Sequence, residues 1–147
     1  MGRTNRRHYS NGFTMVELMA VLLILGLLAT VVVRNFVGKI EDAKVTATKT
    51  SLKNLQGAVL QFYMDTGRYP TETEGLEALV QRPSDVSKWQ TGGYLDSTTV
   101  PKDGWKRDFV YRLAPESGKP FVIISLGADG QEGGEGNDAD LYSTDAE

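Results

Sequence analysis

The run from Phe13 to Val33 constrains this chain most: 21 consecutive residues with a single charge, Glu17. As a helix rising 1.5 Å per residue it is about 31 Å long, enough to cross the hydrocarbon core of a bilayer. The twelve residues before it carry Arg3, Arg6 and Arg7 and no acid. A basic start ahead of an apolar run predicts a cytoplasmic N-terminus, with the rest of the chain exported. A cleaved signal peptide fits poorly, because its apolar region is shorter and ends in a small-residue site. Here Thr30-Val31-Val32-Val33-Arg34 offers none. An uncleaved anchor fits better, but it leaves Glu17 unexplained. A carboxylate inside an apolar helix costs roughly 2.5–3.5 kcal/mol on insertion scales. Such a residue calls for a partner, and a cut after Gly12 supplies one. The amine of a new N-terminal Phe13 would lie four residues before Glu17 and could pair with it, in the same chain or a neighbouring one.

Beyond Arg34 a helical period continues. Phe36, Ile40, Ala43 and Ala47 are spaced 4, 3 and 4, and Leu52, Leu55, Val59 and Phe62 are spaced 3, 4 and 3. This predicts one helix from about Phe13 to Asp65, membrane-spanning in its first half and amphipathic in its second. Lys39, Glu41, Asp42, Lys44, Lys49 and Lys53 read as its solvated faces. Gly67 and Pro70 supply the stop. Thr71 and Glu74 form a capping box before a short helix through Leu76, Leu79 and Val80, which Pro83 closes. Residues 84–106 read as loop. Phe109, Tyr111 and Leu113 alternate with Val110 and Arg112 as a half-buried strand, and Phe121 to Leu126 form a more fully apolar one. Pro115 to Lys119 turn between them, so the pair reads as an antiparallel hairpin on the long helix. The fold class is α+β.

These residues carry a family resemblance. Gly12-Phe13-Thr14 with Glu17 before an apolar helix resembles the class III signal of type IV pilins and pseudopilins. The resemblance implies that a prepilin peptidase cuts after Gly12 and N-methylates Phe13, while the helix stays. Further motifs are similar to the major pseudopilin of type II secretion (general secretion pathway protein G), within the type IV pilin-like superfamily. They are Tyr63, Gly67-Arg68-Tyr69-Pro70-Thr71, Glu74-Gly75-Leu76-Glu77-Ala78-Leu79, Pro101-Lys102-Asp103-Gly104-Trp105 and Ser125-Leu126-Gly127-Ala128-Asp129-Gly130. Two positions depart from the family. Arg34 stands where the apolar run usually ends in proline. Gly104-Trp105-Lys106 stands where Pro-Trp-Gly is usual.

The resemblance implies a type IV pilin-like fold. Residues 1–12 would be the leader, 13–34 the transmembrane and assembly helix, and 35–147 the periplasmic domain. The subunit would polymerise into a periplasmic pseudopilus, with Glu17 of one subunit neutralising the Phe13 amine of another. Its partners would be further copies of itself, minor pseudopilins, the prepilin peptidase, an inner-membrane assembly platform and an outer-membrane secretin. Type IV pili are the alternative filament, but their major subunits usually close a C-terminal loop with a disulfide, and this chain has no cysteine. A membrane-tethered calcium-binding protein that never polymerises is a second alternative.

Residues 127–147 carry seven acids and no base, with five glycines between Gly127 and Gly136. The alternatives are a solvated acidic tail and a loop for a hard cation. Carboxylates interleaved with glycines favour calcium, which takes 6–8 oxygens at variable angles. Neither known repeat fits. Asp129-Gly130-Gln131-Glu132-Gly133 fails the EF-hand pattern. Gly133 to Leu141 makes a single near-copy of the RTX nonapeptide, with Asp140 where an aliphatic residue belongs, and one copy cannot stack. The pseudopilin resemblance implies instead one calcium held by Asp129, Asp138 and Asp140 with the Leu126 carbonyl, Glu132 and Glu135 facing solvent.

Composition excludes much else. A net charge of −3, from 16 basic and 19 acidic residues, is no nucleic-acid-binding balance. His8, the one histidine, would leave with the leader, and no spacing points to a carboxylate pair or a Ser-Lys arrangement. The expectation is a structural subunit and not an enzyme.

Overall fold

The computed structural model describes residues 12–113 and 118–145, with the side chains of 33–37 outside that description. The first eleven residues of the leader, residues 115–117 of the expected turn, and the side chains of Arg34 and Phe36 therefore lie outside the described residues.

Helix α1 runs from Met15 to Thr66, and its backbone continues unbroken through Arg34. The chain divides into two compact units, 1–39 and 40–147. In the first, the large apolar side chains from Phe13 to Val32 are exposed on every face. A stretch apolar all round meets lipid or other chains, not water.

In the second unit, Leu52, Leu55, Val59 and Phe62 of α1 are fully buried, as their spacing predicts. The stripe expected upstream of them is displaced. Ala43 and Ala47 are exposed and Ile40 is 46% exposed, whereas Thr48 is fully buried and Glu41, Lys44 and Val45 are half-buried. The buried face continues the 52–55–59–62 register backwards through 48, 45 and 41. Polar residues can occupy it because a loop supplies their partners. Gly104 N donates to Thr48 Oγ1 at 2.8 Å, and Trp105 Nε1 donates to Glu41 Oε2 at 3.0 Å. Glu41 and Lys44, read from sequence as solvated, instead pair with each other at 2.8 Å beneath this loop.

The stop at Gly67 is as expected, its N–H donating to Tyr63 O at 2.8 Å. The capping box also forms. Thr71 N donates to Glu74 Oε2 at 2.8 Å, and Glu74 N donates to Thr71 Oγ1 at 3.2 Å, ahead of a 3-10 helix over Gly75–Leu79. Arg68 braces this corner, its guanidinium donating to both Glu74 oxygens at 2.8 Å and to Asp85 at 2.8 and 2.9 Å. The Arg68 contact holds the Glu74 carboxyl down to about 2.

Strand β1 (Val110–Leu113) pairs antiparallel with β2 (Phe121–Ser125), Tyr111 opposite Ile123. A third strand, absent from the sequence reading, follows: β3 (Leu141–Tyr142) pairs antiparallel with the other edge of β2, giving the order β1-β2-β3. Being central explains why β2 is buried at all five positions. Beyond β3, Ser143 is buried and its Oγ accepts from Ile123 N at 3.0 Å. The core joins the α1 residues to Leu76, Leu79, Val86, Phe109, Tyr111, Phe121 and Ile123.

Candidate functional site

Two places carry the expected chemistry, and each belongs to its own unit. The first is the start of α1. Phe13 is 83% exposed, one residue after Gly12. Glu17 is not left unpartnered within the chain. Its Oε2 accepts from Thr14 N at 2.9 Å and from Thr14 Oγ1 at 3.0 Å, while Glu17 N donates to Thr14 Oγ1 at 3.2 Å. This is a capping box on Thr14-x-x-Glu17, the same device as Thr71-x-x-Glu74. The Thr14-Met15-Val16-Glu17 spacing carries this box in the sequence itself, beside the charged partner expected for Glu17. The box satisfies helix-end N–H groups and gives the carboxylate local donors.

The second place is the glycine loop between β2 and β3. It is folded backbone, not a tail. Ala128 N donates to Asn137 O at 2.9 Å, Asp138 N to Glu135 O at 3.2 Å and Asp140 N to Gly133 O at 3.2 Å. A one-turn 3-10 helix spans Gly136–Asp138. Gly127 is required where it stands. Its φ is +59°, and a Cβ there would lie 2.7 Å from Asp138 O and 2.8 Å from Ala139 O.

The four residues expected to bind a cation are distributed as follows. Leu126 O accepts from Gly130 N at 3.0 Å. Asp129 is exposed, its Oδ1 accepting from Gln131 N at 3.0 Å. Asp138 is exposed at the end of the short helix. Asp140 is half-buried, its Oδ2 accepting from Gly133 N at 3.0 Å and from Tyr142 Oη at 3.2 Å. Its Oδ1 is buried without a hydrogen-bond partner. Among the described residues, no three Asp, Glu, His or Cys side chains converge closely enough to hold a metal. A cation here would therefore draw on backbone carbonyls as well as carboxylates. Of the two glutamates expected to face solvent, both are exposed, but Glu132 also pairs with Arg112.

Two motifs that are separate in sequence prove to be one structure. Asp103 is buried, its Oδ1 accepting from Trp105 N at 2.9 Å and Arg107 N at 2.8 Å. Its Oδ2 accepts from Ser125 Oγ at 2.7 Å. Arg107 Nη1 then donates to the carbonyls of Gly127 and Ala128. The loop after Pro101 thus carries the loop after β2.

The type II secretion system protein G family matches residues 35–144, and the prokaryotic N-terminal methylation motif matches residues 7–33. The chain belongs to the type II secretion system protein G family. The family's core protein G from Pseudomonas aeruginosa is 41% identical over 143 residues, covering 95% of this chain and 99% of that protein. That from Vibrio cholerae is 42% identical over 132 residues, covering 88% of each. The crystal structure of the major pseudopilin from the type 2 secretion system of enterohaemorrhagic Escherichia coli matches with a TM-score of 0.61 at 26% identity. It covers 74% of this chain and 92% of that one. A protein G family member with a long N-terminal helix, an apolar segment and a small antiparallel sheet is a pseudopilin in fold as well as in sequence.

The departure from the family at 104–106 is accommodated. Gly104 lets the loop close on α1, since a Cβ there would lie 2.4 Å from Lys44 O. Lys106 takes the left-handed conformation, φ 66°, at the position where the family usually has glycine.

Proposed function

We propose that this chain, a pseudopilus subunit of type II secretion, is inserted in the bacterial inner membrane with its N-terminus cytoplasmic and its domain in the periplasm. The prepilin peptidase cuts after Gly12 and methylates Phe13. The mature subunits then polymerise through Met15–Val32 into a filament whose growth drives folded proteins across the outer membrane. Minor pseudopilins, the inner-membrane assembly platform and the outer-membrane secretin are its partners. The role is structural and needs no catalytic group.

One observation supports this reading most strongly: an apolar helix exposed on all faces that carries one carboxylate beside a methylation motif. In the membrane, the Thr14 box supplies donors to Glu17 within the chain. In the filament, neighbouring helices replace lipid and the Phe13 amine of another subunit supplies the counter-charge. Intact mass of the membrane-extracted protein tests processing. Wild type should lack residues 1–12 and carry one methyl group, and Gly12→Val should stay full length. Glu17→Val should insert and be cut yet form no pseudopili. Pseudopili at the wild-type rate would refute the pairing, and normal-size mature protein from Gly12→Val would refute the cut.

We further propose that the glycine loop holds one calcium ion. The support is the buried, unpartnered Oδ1 of Asp140 together with an all-oxygen donor set. The pseudopilin resemblance makes Asp129, Asp138 and Asp140 with the Leu126 carbonyl the ligands, and since the three carboxylates do not converge here, Asp129 and Asp138 would have to move towards Asp140 to meet one ion. Its chemistry would be structural: a cation that binds only the folded loop stabilises it by mass action. A domain of about a hundred residues without disulfides has use for such a staple.

A further inference from the structure

We propose that residues 41–48 of α1 are a separately releasable segment, held by a strap at Asp103–Arg107, where the helix parts from the domain while the core stays folded. The device needs no bound ion.

The apolar core marks where the segment ends. From α1 the core takes Leu52, Leu55, Ala58, Val59 and Phe62, and among the described residues it takes nothing before Leu52. Upstream, Ala43, Thr46 and Ala47 are exposed, and Glu41, Lys44 and Val45 are half-buried. Thr48, a polar residue, is the fully buried side chain of the segment.

The strap keeps its own shape and is anchored away from the helix. Asp103 Oδ1 accepts from the backbone N–H groups of Trp105 and Arg107 at 2.9 and 2.8 Å, and Asp103 N donates to Arg107 O at 2.9 Å. Asp103 Oδ2 accepts from Ser125 Oγ of β2 at 2.7 Å, and Arg107 Nη1 donates to the Gly127 carbonyl at 2.7 Å. The grip on the helix is two hydrogen bonds, Gly104 N to Thr48 Oγ1 at 2.8 Å and Trp105 Nε1 to Glu41 Oε2 at 3.0 Å.

Release disturbs little. The Thr48 hydroxyl also donates to Lys44 O at 2.8 Å, and Glu41 Oε1 pairs with Lys44 Nζ at 2.8 Å. Both partners belong to the helix and leave with it. Water replaces the two bonds of the grip, so the net contribution of each is small. Freeing Leu52 to Phe62 would instead expose fully buried apolar side chains. Regions with few buried apolar contacts open at lower free energy than the core. Because adjacent residues of one fixed loop make both bonds, the two break together. For a subunit whose apolar helix passes from lipid into a filament, this places a yielding joint in α1 at the start of the second unit, which begins at Ile40.

Hydrogen exchange followed by NMR tests it, on the full-length chain in detergent micelles with increasing, sub-denaturing urea. The Gly104 amide and the Trp105 indole N–H report the grip, and the Val59 and Phe62 amides report the core. In wild type both grip protons should exchange about a hundredfold faster than the core amides, with one shared urea dependence much shallower than the core's. The Trp105 and Arg107 backbone amides, held by Asp103, should stay protected. Trp105→Phe should speed the Gly104 amide about tenfold, and Thr48→Val should speed the Trp105 indole about tenfold, since each removes half of a shared grip. Should one variant fail to fold, the other decides alone. Grip protons with the rate and urea dependence of Val59 and Phe62 would overturn the proposal, because the segment would then leave only when the whole domain unfolds. Backbone amides of Trp105 and Arg107 exchanging as fast as Gly104 would also overturn it, since the strap itself would be unravelling. So would an unchanged Gly104 rate in Trp105→Phe or an unchanged indole rate in Thr48→Val, which would make the two bonds independent.

Discussion

Two stretches of α1 use the same residue types to opposite ends. Around Leu23, 74% exposed, the helix shows apolar side chains on every face. Between Leu52 and Phe62 it turns one face inward, where Leu52, Leu55, Val59 and Phe62 have no exposed surface. Propensity and backbone are alike in the two, so the difference lies in what covers the side chains. The second stretch is stabilised by its own chain, the first by lipid or by other subunits. A mutation should therefore register in different measurements according to the stretch it falls in.

The largest effect should come from emptying the covered stretch. Phe62→Ala should cost about 3–5 kcal/mol and Leu55→Ala about 2–5 kcal/mol, because each leaves a cavity in a packed core. Leu23→Ala should leave the domain's melting temperature in detergent unchanged and act on filament yield. If Leu23→Ala melts the domain as Leu55→Ala does, the two stretches are not independent in the way their exposure implies.

The glycine loop should give the next effect. At a free calcium concentration 100 times the dissociation constant, the ion would be worth about 2.7 kcal/mol. Chelation should lower the melting temperature of the full-length chain, and magnesium should restore it much less than calcium. Asp140→Ala should abolish most of the calcium response, since Oδ1 of Asp140 is the buried oxygen without a partner. Asp129→Ala should do the same. Glu132→Ala should keep the full calcium response, because Glu132 is occupied with Arg112 at the exposed rim. A larger loss of response in Glu132→Ala than in Asp129→Ala would mean that the ligands are misassigned.

How far these features could be read from sequence follows from the range of the forces involved. The long helix, its stop at Gly67, the Thr71 box and the hairpin depend on neighbours a few residues apart, and spacing reveals them. The apolar run is legible for a different reason: length and charge alone decide whether a segment can cross a bilayer. β3 was not legible, because Leu141-Tyr142 has no alternation to speak of and exists by pairing with Ser125 and Ile124. The face of α1 near Thr48 misled for the same reason. Ala43 and Ala47 look like an inward stripe until Gly104 and Trp105, more than fifty residues on, take the neighbouring face. At the loop, residue types pointed to oxygen chemistry, but nothing in the spacing announced that Arg107 would fasten the carbonyls of Gly127 and Ala128.

A smaller effect should separate the covered half of the molecule by pH. Glu74 titrates near 2 in the folded chain against an ordinary 4.5, chiefly because Arg68 donates to both its oxygens. A carboxyl whose folded value is lowered adds stability that is complete above about 4.5 and is lost as pH falls towards 2. Glu74→Gln should thus cost about 1.5–2 kcal/mol at pH 7, allowing for the partial exposure of the pair. That difference from wild type should shrink steadily below pH 4.5. Melting curves from pH 7 to pH 2 check it, and a gap that stays constant with pH would mean the Arg68 contact is not electrostatic in origin.

The smallest effect should be a gain. Lys106 holds φ at 66°, in the left-handed region that costs a residue with a Cβ about 1–2 kcal/mol. It stays there because the turn is fixed from both sides: its N–H donates to Asp103 O at 3.0 Å, and Asp103 N donates to Arg107 O at 2.9 Å. Glycine would remove the strain but would also loosen the unfolded chain, which takes back part of the gain. Lys106→Gly should therefore stabilise the domain by about 0.5–1 kcal/mol, a rise of a few degrees for a domain of this size. Gly104→Ala, two residues earlier, should do the reverse, since its Cβ would press on Lys44 O of α1. The pair separates two meanings of the family's usual Pro-Trp-Gly. If Lys106→Gly stabilises while Gly104→Ala destabilises, this chain has kept the turn and moved it closer to the helix. If Lys106→Gly is neutral or worse, the lysine side chain is held by a contact that outweighs its strained backbone.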